Sequence, residues 1–218
     1  FEFLKSENHS GLVLHITVKK VKEVVKSTKG EIFIRVNAGK IKVVSTADIK
    51  RLEYDKGIVT FEDELVNIST SKVENSMSIL KFLINVIPNA EPLTYLNNQE
   101  LLNDKQCKVS GVLLFCDEPA IYLPKRCSVK IMRYRTKDED ISRDFLDGVP
   151  LTVEGDAYSV IYGTVEKTAE VVQSIQKLGA SGMEVISYPK ETLHEIITNS
   201  ILHRDYSIVA DVQVRIFD

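Results

Sequence analysis

The sequence predicts a mixed α/β (α+β) fold of two or more small units, with mixed sheets and packed helices. Two stretches near its start, 11–20 and 31–39, alternate apolar and polar residues with the period of two that is typical of strands. Two later stretches, 156–178 and 189–204, repeat apolar residues every three or four positions, as amphipathic helices do. A content of 44% hydrophobic and 27% charged residues in 218 indicates a globular chain with a substantial core.

Local signals predict the other elements. Ser45 or Thr46 can cap a short helix through Tyr54, and Asp48 stands where a capping box requires an acidic residue. In the helix that follows Pro189, we expect Leu193, Ile196, Ile197 and Ile201 to form the buried stripe. The remaining expected elements are a helix over 76–87, capped by Asn75 and ended by Pro88 and Pro92, and strands over 107–116, 127–134 and 210–218.

Composition shifts predict the organisation of the chain. The polar and irregular stretch 58–75 is the expected linker between a first unit, 1–57, and an α/β connector, 76–186. A last unit is expected over 187–218. Because the chain starts inside a strand-bearing unit and stops at a strand, we expect it to be an internal fragment of a longer protein.

The sequence predicts a cytoplasmic protein without a membrane segment. Its longest apolar stretches fall short of the roughly 20 residues that a membrane-spanning helix needs. The three cysteines, Cys107, Cys116 and Cys127, lack the close paired spacing of zinc sites or disulfide frameworks, and we expect them to be buried as small apolar side chains.

Charge is distributed unevenly along the chain. Residues 1–60 carry 12 Lys and Arg against 7 Asp and Glu, whereas residues 61–218 carry 16 against 24. The basic segment that contains Lys19 and Lys20 is a candidate contact for a phosphate backbone, and Arg35 is a further candidate. An ordinary solvated face explains the same residues, and the charge pattern by itself favours that simpler interpretation.

The stretch "HEIITNSILHRDY", residues 194–206, partly matches two enzyme signatures that fail on inspection. A zinc protease helix needs a second histidine at position 198, where this chain has threonine. A kinase catalytic loop needs asparagine at position 210, where this chain has alanine. The remaining feature is the pair Glu195 and Asn199, one helical turn apart. A carboxylate and an amide at this spacing suit Mg²⁺-nucleotide chemistry. The alternative interpretation is that both are polar residues of an ordinary amphipathic helix.

The stretch "YPKETLHEIITNSILHRDYSIVADVQVRIFD" closely resembles the start of the histidine-kinase-like (GHKL, Bergerat-fold) ATPase module of Schlafen-type AlbA-domain proteins, a family labelled RecG-related or transcriptional regulators. The stretches "FIRVNAGK", "GVLLFCDEPAIYLPKRCSVKIMRYRT" and "VEGDAYSVIYGTVEKTAEVV" resemble that family's connecting region, in the same order. The resemblance implies that Glu195 is the catalytic residue that activates water and that Asn199 binds Mg²⁺ and the nucleotide. For His203 it leaves two roles open, phosphate contact or capping and packing.

The same resemblance implies what each unit does. Residues 1–57 would be the C-terminal part of an AlbA-type nucleic-acid-binding domain, with DNA rather than RNA as the expected partner, and 187–218 the start of the Bergerat-type fold. ATP and Mg²⁺ are expected as cofactors of the intact protein only, because the family's adenine-binding and lid segments lie further along than residue 218. A homodimer is a further expected partner. Two alternatives stay open, a non-catalytic connector or dimerisation scaffold and a nuclease whose active site precedes Phe1.

Overall fold

The computed structural model of the chain describes residues 1–5, 11–137, 142–179 and 182–218. It divides into two compact units, an N-terminal unit, Phe1–Thr60, and a C-terminal unit, Phe61–Asp218. Both combine helices with small sheets, so the predicted mixed α/β (α+β) fold class is confirmed. Within the residues described, no helix combines the length and the apolar character that crossing a membrane requires.

The N-terminal unit consists of two antiparallel strand pairs and one helix. Strands β1 and β2 pair with each other, as do β3 and β4, and the Ser45 hydroxyl caps helix α1 by accepting from the Asp48 N–H at 3.0 Å, as predicted. The predicted strand over 11–20 is shorter than expected. The elements are β1 (Glu2–Lys5), β2 (Leu12–His15), β3 (Ile32–Val36), β4 (Gly39–Val43) and α1 (Thr46–Asp55).

This unit buries little apolar surface. Ile32 and Val43 are its buried hydrophobic side chains among the described residues, at 6% and 8% exposure. The side chains expected to line one strand face between residues 12 and 18 are instead exposed, including Leu12 at 68% and Val18 at 85%. Among the described residues, the β1–β2 hairpin has no buried side chain, and a two-stranded hairpin by itself provides little apolar surface for burial.

The first part of the C-terminal unit is a helical cluster on a three-stranded antiparallel sheet, ordered β5-β7-β6. The core between them contains Ile79, Leu96, Phe115 and the three cysteines. The cysteines are buried, as predicted, and are free thiols. The elements are β5 (Leu65–Ser69), α2 (Ser71–Glu74), α3 (Met77–Val86), α4 (Pro92–Asn98), β6 (Leu102–Asn103), β7 (Gln106–Lys108) and α5 (Val109–Phe115).

The second part is a three-stranded sheet, ordered β12-β8-β9, on which two helices pack. Strand β12 runs parallel to β8, and β9 runs antiparallel to it. Val129, Val165, Ile197 and Ile201 belong to the core that joins this sheet to α6 and α7. The elements are β8 (Ser128–Tyr134), β9 (Leu151–Glu154), α6 (Ala157–Gln173), β10 (Gln176–Gly179), β11 (Gly182–Val185), α7 (Lys190–Leu202) and β12 (Val212–Phe217).

The structure differs from the expected organisation at two places. The stretch 58–75, expected as a linker, contains β5 and α2, and its Val73 is completely buried. Four of its apolar residues pack on the core, which the average polarity of the stretch does not reveal: Phe61, Val66, Ile68 and Val73. The expected units 76–186 and 187–218 fall within one compact unit, since β12 pairs with β8 along its whole length.

Three expected elements are also corrected. The stretch 107–116 forms β7 and α5 rather than one strand, because a short apolar run is compatible with a helix that is buried on most sides. The long helix ends at Gln173, and the following residues form the β10–β11 hairpin, where Leu178 is 78% exposed. Helix α3 is capped by Ser76 rather than Asn75.

Candidate functional site

The predicted nucleotide residues lie on the outer side of α7. Glu195 and Asn199 are both exposed, one turn apart, while Ile197 and Ile201 on the opposite side are 5% and 4% exposed. The prediction that Ile196 belongs to the buried stripe is wrong, because Ile196 is 59% exposed. Helix α7 packs on α6 and the sheet from one side only, and that contact does not reach round to position 196.

His203 stands at the end of the same helix. It is the C-cap residue of α7, its N–H donates to the Asn199 carbonyl at 3.0 Å, and its side chain is exposed. Capping is one of the two roles considered for His203 from the sequence. In the structure, this cap is formed by the backbone of His203 alone. The imidazole has no hydrogen bond among the described residues that would assign it a second role.

The residues after His203 form a tightly bonded turn that leads into β12. The Arg204 guanidinium donates to the carbonyls of Arg126, Ile208 and Ala210, and it lies 4.9 Å from the centre of the Tyr206 ring. The Tyr206 hydroxyl donates to the Ile201 carbonyl at 3.0 Å. Arg204 and Tyr206 of the "HRDY" stretch thus have a structural role, because their hydrogen bonds fix the turn between α7 and β12.

The predicted nucleic-acid residues belong to the N-terminal unit. Lys19 and Lys20 are exposed in the segment after β2, and no ion pair involves either among the described residues. Arg35 lies on β3, directly opposite Lys40 on β4, and its Nε donates to the Asn37 carbonyl at 3.2 Å. Two like charges facing each other across a hairpin form a small basic surface, which is open to an anionic partner.

The residues described here offer Mg²⁺ only a partial set of ligands. Nowhere among them do three His, Cys, Asp or Glu side chains come together as a metal site. Glu195 and Asn199 provide one carboxylate and one amide oxygen on a shared face. That number is compatible with Mg²⁺ when phosphates and water supply the other ligands, since this ion typically takes one or two protein oxygens.

A cleft lies elsewhere in the C-terminal unit, between α3 and the first turns of α6. This α3–α6 cleft has a volume of about 460 Å³ and does not include Glu195, Asn199 or His203. The side chains that matter for its chemistry are Ser78, Phe82, Asp117, Asp156, Tyr158 and Tyr162. The cleft therefore combines carboxylates, hydroxyls and aromatic rings in one place.

Two carboxylates form the polar end of this cleft. Asp156, 5% exposed, is the N-cap of α6, and its Oδ1 accepts from the N–H groups of Tyr158 and Ser159 at 3.0 and 3.1 Å. Asp117 accepts from the N–H groups of Met77 and Ser78, both at 3.0 Å. Partial burial alone would raise the pKa of Asp117, but these hydrogen bonds and that of the Ser78 hydroxyl hold it below its usual value.

Aromatic rings form the other wall. Phe82 lies 5.9 Å from Tyr158 between ring centres, and Tyr158 and Tyr162 are 41% and 59% exposed. Burial, followed by nearby Tyr95 and Asp156, raises the pKa of Tyr158, so its phenol is neutral at physiological pH. Tyr162 also contacts His194 of α7 at 5.3 Å between ring centres.

Sequence reasoning did not find this cleft. In the sequence, Asp156 is explained as the start of a helix and Tyr158 as part of its apolar side, and neither explanation requires a site. The available signal was the pair Tyr158 and Tyr162, two aromatic residues one turn apart directly after an acidic cap. Asp117 and Phe82 come from distant positions, and only tertiary packing, with α3 and α6 both in contact with α5, brings them to the same place.

Comparisons with known proteins leave the family of this chain open. No protein-family model matches the chain, and no curated protein is significantly similar to it. Among solved structures, it is similar to the DIP2311 protein from Corynebacterium diphtheriae, with 12% sequence identity and a TM-score of 0.49. The match covers 91% of this chain and 39% of that one, so the chain spans well under half the length of that protein.

Proposed function

We propose that this chain is part of a cytoplasmic, DNA-binding regulator that binds Mg²⁺-ATP, with Glu195 and Asn199 as its nucleotide-site residues. The observation that supports this proposal is the placement of the two side chains on one exposed face of α7, opposite the anchoring Ile197 and Ile201. A helix fixed on one side presents polar groups on its other side with a defined spacing. The resemblance of 188–218 to a GHKL module points to the same pair.

In this proposal each side chain has a separate task. The Glu195 carboxylate accepts a hydrogen bond from water and orients it, and the Asn199 amide oxygen is a metal ligand one turn away. When bound, Mg²⁺ would neutralise part of the negative charge of the phosphates. The ordered turn around Arg204 fixes the end of the helix, which keeps His203 near the same face.

Calorimetric titration of Mg²⁺-ATP into the full natural protein tests the metal role. We expect Asn199→Ala to weaken binding by about tenfold or more, because a lost ligand to a charged group costs roughly 1.5–3 kcal/mol. Ser200→Ala is the control, since Ser200 is exposed on the same helix and its hydroxyl only donates to the Ile196 carbonyl. Equal affinities of the wild type and Asn199→Ala would remove Asn199 from the site.

DNA binding is proposed for the N-terminal unit, with Lys19, Lys20 and Arg35 as phosphate contacts. If these residues neutralise phosphates, affinity for duplex DNA falls steeply with salt, and replacing both lysines by glutamine reduces the logarithmic slope by about 2. Replacing Lys177 and Lys190, two exposed lysines of the C-terminal unit, is a control with the same change in net charge. A wild-type slope near zero would exclude phosphate contacts.

A non-catalytic connector that dimerises or positions partners is the second candidate. It is favoured by the position of Glu195 and Asn199 outside the α3–α6 cleft. The same titration separates the two candidates, because a connector binds no Mg²⁺-ATP in any variant. Sedimentation of the full protein would then detect the expected homodimer.

A further inference from the structure

We propose that the α3–α6 cleft is a binding site for a small organic cation, a molecule with a protonated amine or a guanidinium group on an apolar body. The site shares no residue with the nucleotide site proposed on α7 and stands or fails independently of it. A volume of about 460 Å³ is in the range of clefts that bind small molecules.

The first argument is the surplus of acceptors at the polar end. The Ser78 hydroxyl has one hydrogen to donate, yet its Oγ lies 2.9 Å from Asp117 Oδ1 and 3.0 Å from Asp156 Oδ2. Each of these oxygens has one other donor, the Ser78 N–H for Asp117 Oδ1 and the Ser159 hydroxyl for Asp156 Oδ2. Because the Ser78 hydrogen serves only one of the two oxygens at a time, the other oxygen keeps acceptor capacity for a cationic N–H group.

Helix capping accounts for only one of the two oxygens of the Asp156 carboxylate. Its Oδ1 accepts from both backbone N–H groups of the α6 cap, whereas its Oδ2 accepts from the Ser159 hydroxyl and shares the Ser78 hydroxyl with Asp117. Ser78 and Ser159 themselves line the cleft. Every donor to this carboxylate is a neutral group in the residues described. A carboxylate that is 5% exposed and has no cationic partner of its own makes the cleft attractive to a cation.

The second argument is the aromatic wall, which is independent of the carboxylates. Phe82, Tyr158 and Tyr162 present ring surface to the cleft, and the two tyrosines are 41% and 59% exposed. The negative face of an aromatic ring attracts an ammonium or guanidinium group that lies within about 6 Å. The rings also offer apolar surface to the body of such a ligand.

One cation of the protein itself lines the cleft. Lys81 is exposed on α3, and its charge is among the influences that lower the pKa of Asp117. With two carboxylates against this lysine, the lining retains a net negative charge. The balance favours a compact organic cation and disfavours an anion of the same size.

Tryptamine and spermidine are suitable probes, and indole-3-acetate is the control that matches tryptamine in size but has the opposite charge. We expect saturable binding of at least one amine in titrations followed by NMR, with shifts at Ser78, Tyr158 and Tyr162. Indole-3-acetate should bind at least about tenfold more weakly, as the loss of a charge-assisted hydrogen bond predicts. Equal binding of tryptamine and indole-3-acetate, or no saturable binding of either amine, would overturn the proposal.

Three variants locate the binding site. Asp156→Asn keeps a side-chain oxygen that can cap α6 but removes the charge, and we expect it to weaken amine binding by about tenfold. Tyr162→Leu should weaken binding by roughly 2- to 30-fold, whereas Tyr162→Phe keeps the ring and should bind as the wild type does. Because Tyr162 is 59% exposed, both of its variants should fold. Full binding by Asp156→Asn and Tyr162→Leu would place the amine outside this cleft.

Discussion

At the scale of single residues, Arg204 and Tyr206 carry the clearest energetic prediction. The Arg204 guanidinium bonds three carbonyls, and lysine cannot reproduce that planar arrangement of donors. We therefore expect Arg204→Lys to lower the free energy of unfolding by about 1.5–3 kcal/mol, the range for hydrogen bonds to charged groups. Urea titration measures this change.

The same turn provides a graded comparison. Tyr206→Phe removes the hydroxyl that donates to the Ile201 carbonyl and should cost about 1 kcal/mol, as one neutral hydrogen bond does. Arg215→Lys is the control, because Arg215 is exposed and bonds only the Gln213 side chain. If Arg204→Lys were no more destabilising than Arg215→Lys, the turn would not depend on the guanidinium geometry.

At the scale of elements, the junction of β12 and β8 depends on Asp211. This carboxylate accepts from the Ser128 hydroxyl, and Lys130 Nζ lies 2.9 Å from it. Burial alone would raise the pKa of Asp211, but these partners, both on β8, lower it. Because the pKa of Asp211 is lower in the folded state than in the unfolded state, its carboxylate stabilises the fold at pH values above the unfolded-state pKa of about 3.9. This stabilisation is lost as the pH falls through the folded-state pKa.

Asp211→Asn should therefore lower the free energy of unfolding by about 1–2 kcal/mol at pH 7, a modest loss because Lys130 is partly exposed. At pH 3 the loss should be much smaller. Urea titrations at both pH values measure the difference. Asp104→Asn is the matched control, because Asp104 is exposed in a turn at φ 54°, a conformation that asparagine also tolerates. A loss at pH 3 as large as that at pH 7 would contradict the assigned role.

Helix α5 owes its close packing to Gly111. A Cβ at this position would lie 3.0 Å from the Leu101 carbonyl oxygen, a backbone atom that cannot move aside. We expect Gly111→Ala to destabilise the protein by about 1 kcal/mol, because an overpacking cost of about 1–3 kcal/mol exceeds the gain in helix propensity of up to about 1 kcal/mol. Thermal and urea unfolding measure the change.

Gly163 in α6 is the matched comparison for Gly111. A Cβ there would also meet an atom at 3.0 Å, but this atom is a side-chain carbon of Val153, which can shift by a few tenths of an ångström more easily than a backbone carbonyl oxygen can. Gly163→Ala should therefore cost less than Gly111→Ala, or nothing. The reverse order would show that backbone proximity does not decide the packing of α5.

The sequence predicted elements well where one local signal dominates. Ser45 and Asp48 fix the start of α1, and the alternation of Val212, Val214 and Ile216 marks β12. The prediction failed at α5, because a short run of mainly apolar residues with the single polar Ser110 does not reveal a helical period. It failed at the end of α6 because Ile175 continues the helical spacing by chance while its backbone leads into the hairpin.

Sites were harder to predict than elements. The pair Glu195 and Asn199 is local to one helix, so its shared exposed face was predictable from spacing, but its function was not. The α3–α6 cleft depends on Phe82, Asp117 and Asp156, which are far apart in sequence and meet only through tertiary packing. No local pattern contains that information.

At the scale of the whole molecule, the two units differ in how much stabilising surface each one buries. The C-terminal unit has two cores, one around Phe115 and one around Val165. In the N-terminal unit the buried hydrophobic side chains are Ile32 and Val43 among the residues described. Burial of one such side chain contributes about 1.5–3 kcal/mol, whereas ordering the backbone costs about 1–2 kcal/mol for each residue.

This difference predicts separate behaviour of the two units when they are produced alone. A chain of residues 61–218 should unfold in urea in one cooperative transition and keep the helical circular dichroism of α3, α6 and α7. A chain of residues 1–60 should show no cooperative transition, because its two buried side chains cannot offset the cost of ordering two hairpins and a helix. A cooperative transition of 1–60 that depends on its concentration would instead mean that self-association covers its exposed apolar side chains.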